Sequence, residues 1–191
     1  MMDKTCDYSQ TPFAPSTAIE VANEFLTLGF EESIDIDQMK LQKLVYYAQA
    51  WFLALKQRPL FEEDIEAWPW GPVIRDIYIQ TQGYGRNPVV RKLSQLQPKN
   101  NDPLDCHFDM HIPKGVSERL KAFIRKVWDV HKNYTGIQLS NSTHAEGEPW
   151  SIVSEKYQGD LRQKPTIPNA LIKAVFTNKV QHGRSALKTQ T

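Results

Sequence analysis

Residues 40–78, KLQKLVYYAQAWFLALKQRPLFEEDIEAWPWGPVIRDIY, constrain the fold more than any other part of the chain. Leu41, Leu44, Val45, Ala48, Phe52 and Leu55 recur at three- and four-residue steps, the pattern of a helix with a buried face. Asp37 is placed to cap that helix and Arg58-Pro59 to end it, because the residue before proline is pushed out of the helical region. Ile65, Ala67 and Trp68 then read as a short strand. The elbow Trp68-Pro69-Trp70-Gly71-Pro72 is stiff: two prolines limit the backbone, and the glycine permits a sharp turn or a close contact. Pro72 is expected in the first turn of a following helix, where its missing N–H costs nothing. That helix would carry Val73, Ile77 and Tyr78 and stop at Gly83 or Gly85.

The flanking segments read mostly as helices. Thr17 and Glu20 form a capping-box pattern before a stripe of Ile19, Ala22, Phe25, Leu26 and Leu28 that ends near Gly29. Residues 89–93 and 106–112 read as extended, separated by a polar loop at 97–103, and could form a small antiparallel pair. Ser117 starts a helix striped by Leu120, Phe123, Ile124, Val127 and Trp128. Thr135 caps a short helix with Ile137 and Leu139, residues 140–149 read as a polar loop, and residues 150–157 are helical again. Pro168 opens a last helix with Leu171, Ile172, Val175 and Phe176. The expected fold is a mainly α, compact helical domain with a minor short antiparallel β element. Residues 1–16 are expected to be a flexible lead, 17–177 the domain, and 178–191 a basic flexible tail.

At 191 residues one core of useful size fits. The formal net charge of +1 gives no overall reason for binding nucleic acid, although no Asp or Glu follows Asp160 while Arg162, Lys164, Lys173, Lys179, Arg184 and Lys188 do. Two cysteines, Cys6 and Cys106, make no disulfide framework, so a reducing, cytoplasmic setting is expected. No apolar run approaches the roughly 20 residues that span a bilayer, so no membrane partner is expected.

Candidate chemistry is sparse. In one strand Glu62, Asp64 and Glu66 would share a face, yet nothing nearby would raise a carboxylate pKa for acid–base work. Cys106, His107, Asp109 and His111 suggest metal ligands, but on a strand His107 and His111 lie roughly 13 Å apart, too far to share one zinc with bonds of about 2 Å. Ser140, Ser142 and Thr143 put hydroxyls beside His144, without the G-x-S-x-G that holds a nucleophile on a strained turn. His144 therefore reads first as a hydrogen-bonding residue that locks the loop before Pro149-Trp150. No catalytic residue, metal or cofactor is expected. The second face of the 40–56 helix, with Lys40, Lys43, Tyr47 and Trp51, could pack within the fold against Trp68 and Trp70, bind a protein, or stack nucleic-acid bases, in that order.

Three stretches carry a family resemblance: MKLQKLVYYAQAW at 39–51, AWPWGPV at 67–73 and THAEGEPW at 143–150. In this order they resemble the Panacea domain, the SocA-like antitoxin domain often found in phage-associated proteins. TAIEVAN at 17–23 and IPNALIK at 167–173 fit its ends, so the likeness covers about residues 17–177. It implies a non-enzymatic antitoxin that binds and neutralises a cognate protein toxin, typically encoded beside it. One branch of the family is similar to proteolytic adaptors that deliver the toxin to a AAA+ protease. A nucleic-acid-binding phage-associated regulator is a further reading, and a small hydrolase using His144 the last. The family supplies no catalytic residues to carry over. The candidate partner-binding residues are Lys40, Lys43, Tyr47, Trp51, Trp68, Trp70, His144 and Trp150. The chain departs from the family in a longer lead before Thr17 and a basic stretch after Thr177.

Overall fold

A computed structural model describes residues 16–98 and 108–188. In chain order these form α1 (Ala18–Glu32), α2 (Gln38–Lys56), β1 (Ile65–Trp68), β2 (Gly71–Ile74), α3 (Arg75–Thr81), a 3-10 turn (Gln82–Tyr84), β3 (Gln95–Pro98), β4 (Phe108–His111), α4 (Glu118–His131), α5 (Gly136–Thr143), α6 (Pro149–Lys156) and α7 (Asn169–Lys188). The chain is mainly α, with two separate antiparallel strand pairs, β1–β2 and β3–β4. Of the expected lead at 1–16, residues 1–15 lie outside the described residues, as do Cys6, Cys106 and His107, while Ser16 is buried with its N–H on Leu60 O. The last helix runs on to Lys188, past the expected domain end at 177.

Local chemistry sets most helix starts. Thr17 accepts the N–H of Glu20 while Glu20 accepts the N–H of Thr17, a complete capping box. Asp37 caps α2 through the N–H of Lys40, and Thr135 with Gln138 makes a second capping box at α5. Glu63 adds a distant contribution: its carboxylate accepts the Ala18 N–H at 2.8 Å, beside the positive end of the α1 dipole. The acidic run at 62–66 is therefore not one strand face, since only Glu66 lies in β1.

Helix α2 is the centre of the domain, packed against α1, α4, α5, α7 and β2. Every residue from 40 to 50 is buried, so the helix has no solvent face over three turns. Its polar residues point inward because the core contains backbone that needs partners. Gln49 accepts the N–H groups of Leu60 and Phe61 and donates to the Phe61 carbonyl. An unpaired buried backbone group costs about as much as a lost hydrogen bond, so a polar residue here is stabilising.

Three expectations need correction. Pro72 is in β2, opposite Ala67, and the next helix starts only at Arg75. Proline is tolerated there because the Ala67 N–H points away from β2, to Pro165 O, marking a pair that exchanges no hydrogen bonds. The first strand of the second pair is 95–98, not 89–93: the Asn23 side chain holds both the N–H and the C=O of Leu93, and Val89 N–H bonds Ile36 O. Residues 140–143 belong to α5, which shortens the polar loop to 144–148.

Candidate functional site

The elbow is the tip of the β1–β2 hairpin. Pro69 cannot take the positive φ that the usual two-residue hairpin turns demand at that position, so the left-handed residue moves to Gly71, at φ 100°. A Cβ on Gly71 would lie 2.7 Å from Lys43 Nζ and 2.8 Å from Thr143 Oγ1, so backbone and side chains meet here at the closest approach.

Four carbonyls along this hairpin are each held by a side chain from another element. Trp150 Nε1 donates to Trp68 O at 2.8 Å, Ser140 Oγ to Trp70 O at 2.8 Å, Lys43 Nζ to Pro72 O at 3.0 Å, and Gln42 Nε2 to Ile74 O at 3.1 Å. Gln42 also accepts the Ile74 N–H, at 2.8 Å. Helices α2, α5 and α6 thus clamp the hairpin from its inner side. Its outer side carries Trp70, which is 72% exposed. A large ring stands in solvent on a backbone fastened from its inner side, so little backbone entropy remains to be lost on binding.

Lys43 is 1% exposed, and burial pushes its ammonium pKa down from 10.5 to about 7. His144 stacks on Trp150, with ring centroids 3.8 Å apart and planes at 20°. Its pKa is lowered by burial and by the charge of Lys43. His144 Nε2 is buried without a hydrogen-bond partner among the described residues, so stacking rather than that nitrogen holds the ring. The nearby hydroxyls serve backbone: Ser140 bonds Trp70 O, Ser142 bonds Gln138 O, and Thr143 bonds Ser140 O. None is paired with the imidazole in the manner of a nucleophile and its base.

The eight candidate residues separate into two groups. Lys43, Trp68, Trp70, His144 and Trp150 converge on the elbow. Lys40, Tyr47 and Trp51 lie elsewhere: Lys40 is buried, donates to Lys132 O at 2.7 Å and sits over the Trp128 ring; Tyr47 stacks on His131; Trp51 meets Phe176 edge-on at 4.9 Å. Burial of Lys40, Lys43 and Tyr47 removes the lysine–aromatic face from solvent. The sequence reading missed Gln42 and placed Ser140 beside His144 and Lys164 in a basic stretch, whereas Gln42 and Ser140 brace the elbow and the Lys164 ammonium sits 3.8 Å from the Trp68 ring centroid. A polar residue inside an apolar helical stripe was the available signal for Gln42. Among the described residues no group of three or more His, Cys, Asp or Glu could hold a metal, and no described helix is long and apolar enough to cross a membrane.

A mainly helical domain that braces a projecting aromatic hairpin is the class of protein defined by this fold and site. Residues 41–151 match the family model for the antitoxin SocA-like, Panacea domain. The chain is also similar to Antitoxin SocA of Caulobacter vibrioides (strain NA1000 / CB15N), 31% identical over 140 residues that cover 70% of this chain and 68% of that protein. No solved structure matches. The chain belongs to the antitoxin SocA-like, Panacea domain family, a membership that suggests an antitoxin role and a toxin as partner.

Proposed function

We propose that this chain is a cytoplasmic antitoxin that neutralises a protein toxin, encoded beside it, by direct binding and without catalysis. The elbow formed by Trp68, Pro69 and Trp70 is the centre of the contact surface. The observation that carries this reading is Trp70, exposed on a hairpin whose inner carbonyls are tied to three helices. Tryptophan is enriched among the residues that anchor protein interfaces, and truncating such an anchor costs about 2 kcal/mol or more. A standard interface buries about 1,600 Å² in total, enough to cover a toxin's active site or a surface it needs. Lys43, His144 and Trp150 act from beneath, by fixing the elbow, and Lys40, Tyr47 and Trp51 support the core.

Growth of cells expressing the neighbouring open reading frame, with and without this chain, tests the proposal. Toxicity relieved by the wild type, and relieved less by Trp70→Ala at equal protein level, is the expected result. A toxic neighbour that the wild-type chain fails to restrain would overturn it.

A further inference from the structure

Beside the elbow lies an open pocket of about 430 Å³, lined by Pro69, Trp150, Ser154, Leu161, Arg162 and Lys164 among others. Its volume is at the lower end of the range of ligand pockets, about 300–1,000 Å³. Pro69, Trp150 and the buried Leu161 make its apolar part, and Asp160, Arg162 and Lys164 its charged rim. The loop that forms this rim is built, not slack. Ala67 N–H donates to Pro165 O at 2.8 Å and Ile167 N–H to Ile65 O at 2.7 Å, which fastens residues 165–167 to β1. Gln158, at φ 52°, is the left-handed residue that ends α6, with Gly159 N–H returning to Ser154 O, whereas Lys164, at φ 50°, holds a left-handed conformation away from any helix end. Strain of this kind persists where surrounding structure enforces it, and it gathers at binding sites.

The rim is electrostatically unbalanced. Asp160 is occupied by Arg162, whose Nε and Nη2 reach its two oxygens at 2.9 and 2.7 Å. Lys164 has no carboxylate partner among the described residues. Its ammonium is spread over the Trp68 ring, and beyond Asp160 the sequence contains no further acid. Glu66 accepts the Trp68 Nε1–H at the edge of the same ring but makes no ion pair with Lys164, and an apolar floor next to a cation that makes no ion pair among the described residues fits an acidic occupant.

We infer that this pocket seats an acidic segment of the toxin, in which an apolar side chain enters between Pro69 and Trp150 while a neighbouring Asp or Glu pairs with Lys164. The inference rests on the antitoxin reading and gives its partner a chemistry. Trp70 and the pocket then form one continuous contact, with the tryptophan as knob and the pocket as socket.

The test is a calorimetric titration of the full chain with the purified product of the neighbouring frame, at about 50 and 300 mM salt. The variants are Lys164→Gly, Lys164→Glu, Lys164→Arg and Trp70→Ala. Glycine suits φ 50°, which offsets the lost contact with the Trp68 ring, and the melting temperature of each variant is measured alongside so that a loss of affinity is read only from folded protein. The expected result is a fivefold or greater loss of affinity for Lys164→Gly, a larger loss for Lys164→Glu, and near-normal binding for Lys164→Arg. The losses should shrink at the higher salt. Unchanged affinity for Lys164→Gly and Lys164→Glu, with Trp70→Ala weakened, overturns the socket and leaves the antitoxin reading standing. A toxic neighbour that does not bind the wild type at either salt overturns both.

Discussion

Lys43 gives the sharpest quantitative expectation. The ammonium of an exposed lysine titrates near 10.5, but burial in α2 lowers this one to about 7, and its one hydrogen bond goes to Pro72 O. Between those two pH values the unfolded chain holds a proton that the folded chain has released. Stability therefore rises with pH across that window and is lowest at pH 7 and below. At about 1.4 kcal/mol per pH unit, reduced near pH 7 where the folded group is half titrated, the gain from pH 7 to 9 is about 2 kcal/mol. At about 2–4 °C per kcal/mol, that is a rise of roughly 4–8 °C in melting temperature. Lys40, also lowered by burial, adds to the same trend. His131 and His144 are lowered and already neutral in this range, while Tyr46 and Tyr47 are raised and stay protonated in it. Lys43→Met keeps the buried stem and removes the titration. The assay is thermal denaturation of both proteins at pH 7, 8 and 9. Wild type should gain about 2 kcal/mol more than Lys43→Met over that range. Parallel pH profiles for the two proteins would refute the claim that Lys43 is buried and unpaired by any acid.

Other perturbations have equally definite outcomes. Gly71→Ala forces a Cβ into φ 100° and against Lys43 and Thr143; it should cost at least about 2 kcal/mol by chemical denaturation, where a loss under about 0.5 kcal/mol would contradict the described turn. Gln49→Leu strips partners from the Leu60 and Phe61 N–H groups and should cost about 3 kcal/mol in the same assay. Trp70→Ala should leave stability within about 0.5 kcal/mol of wild type yet weaken toxin binding roughly 30-fold, which calorimetry would measure.

Much of this architecture is written locally. Thr17 with Glu20, Asp37, and Thr135 all cap within three residues, so their helices are legible without tertiary information. The three stretches around 39–51, 67–73 and 143–150 do converge in space, through Lys43, Trp68, Trp70, His144 and Trp150. What escaped the sequence depended on remote partners. Lys40 and Lys43 read as part of a lysine–aromatic helix face, yet they are inside, donating to the carbonyls of residues 132 and 72, and Gln49 on the opposite side of α2 likewise donates to the carbonyl of residue 61. Pro72 has the local signature of a helix start, and only its pairing opposite Ala67 puts it in a strand. Leu93 reads as strand until the Asn23 side chain, 70 residues earlier, takes both of its backbone groups.

The central claim is that the toxin contacts the elbow. The direct measurement is site-specific photocrosslinking in cells that express the neighbouring toxin, with a photoreactive residue replacing Trp70 or, as a control, the similarly exposed Val130 on α4. A covalent adduct with the toxin from position 70 and none from position 130 is the predicted result. An adduct from position 130 alone, in a chain that still neutralises the toxin, would contradict the account.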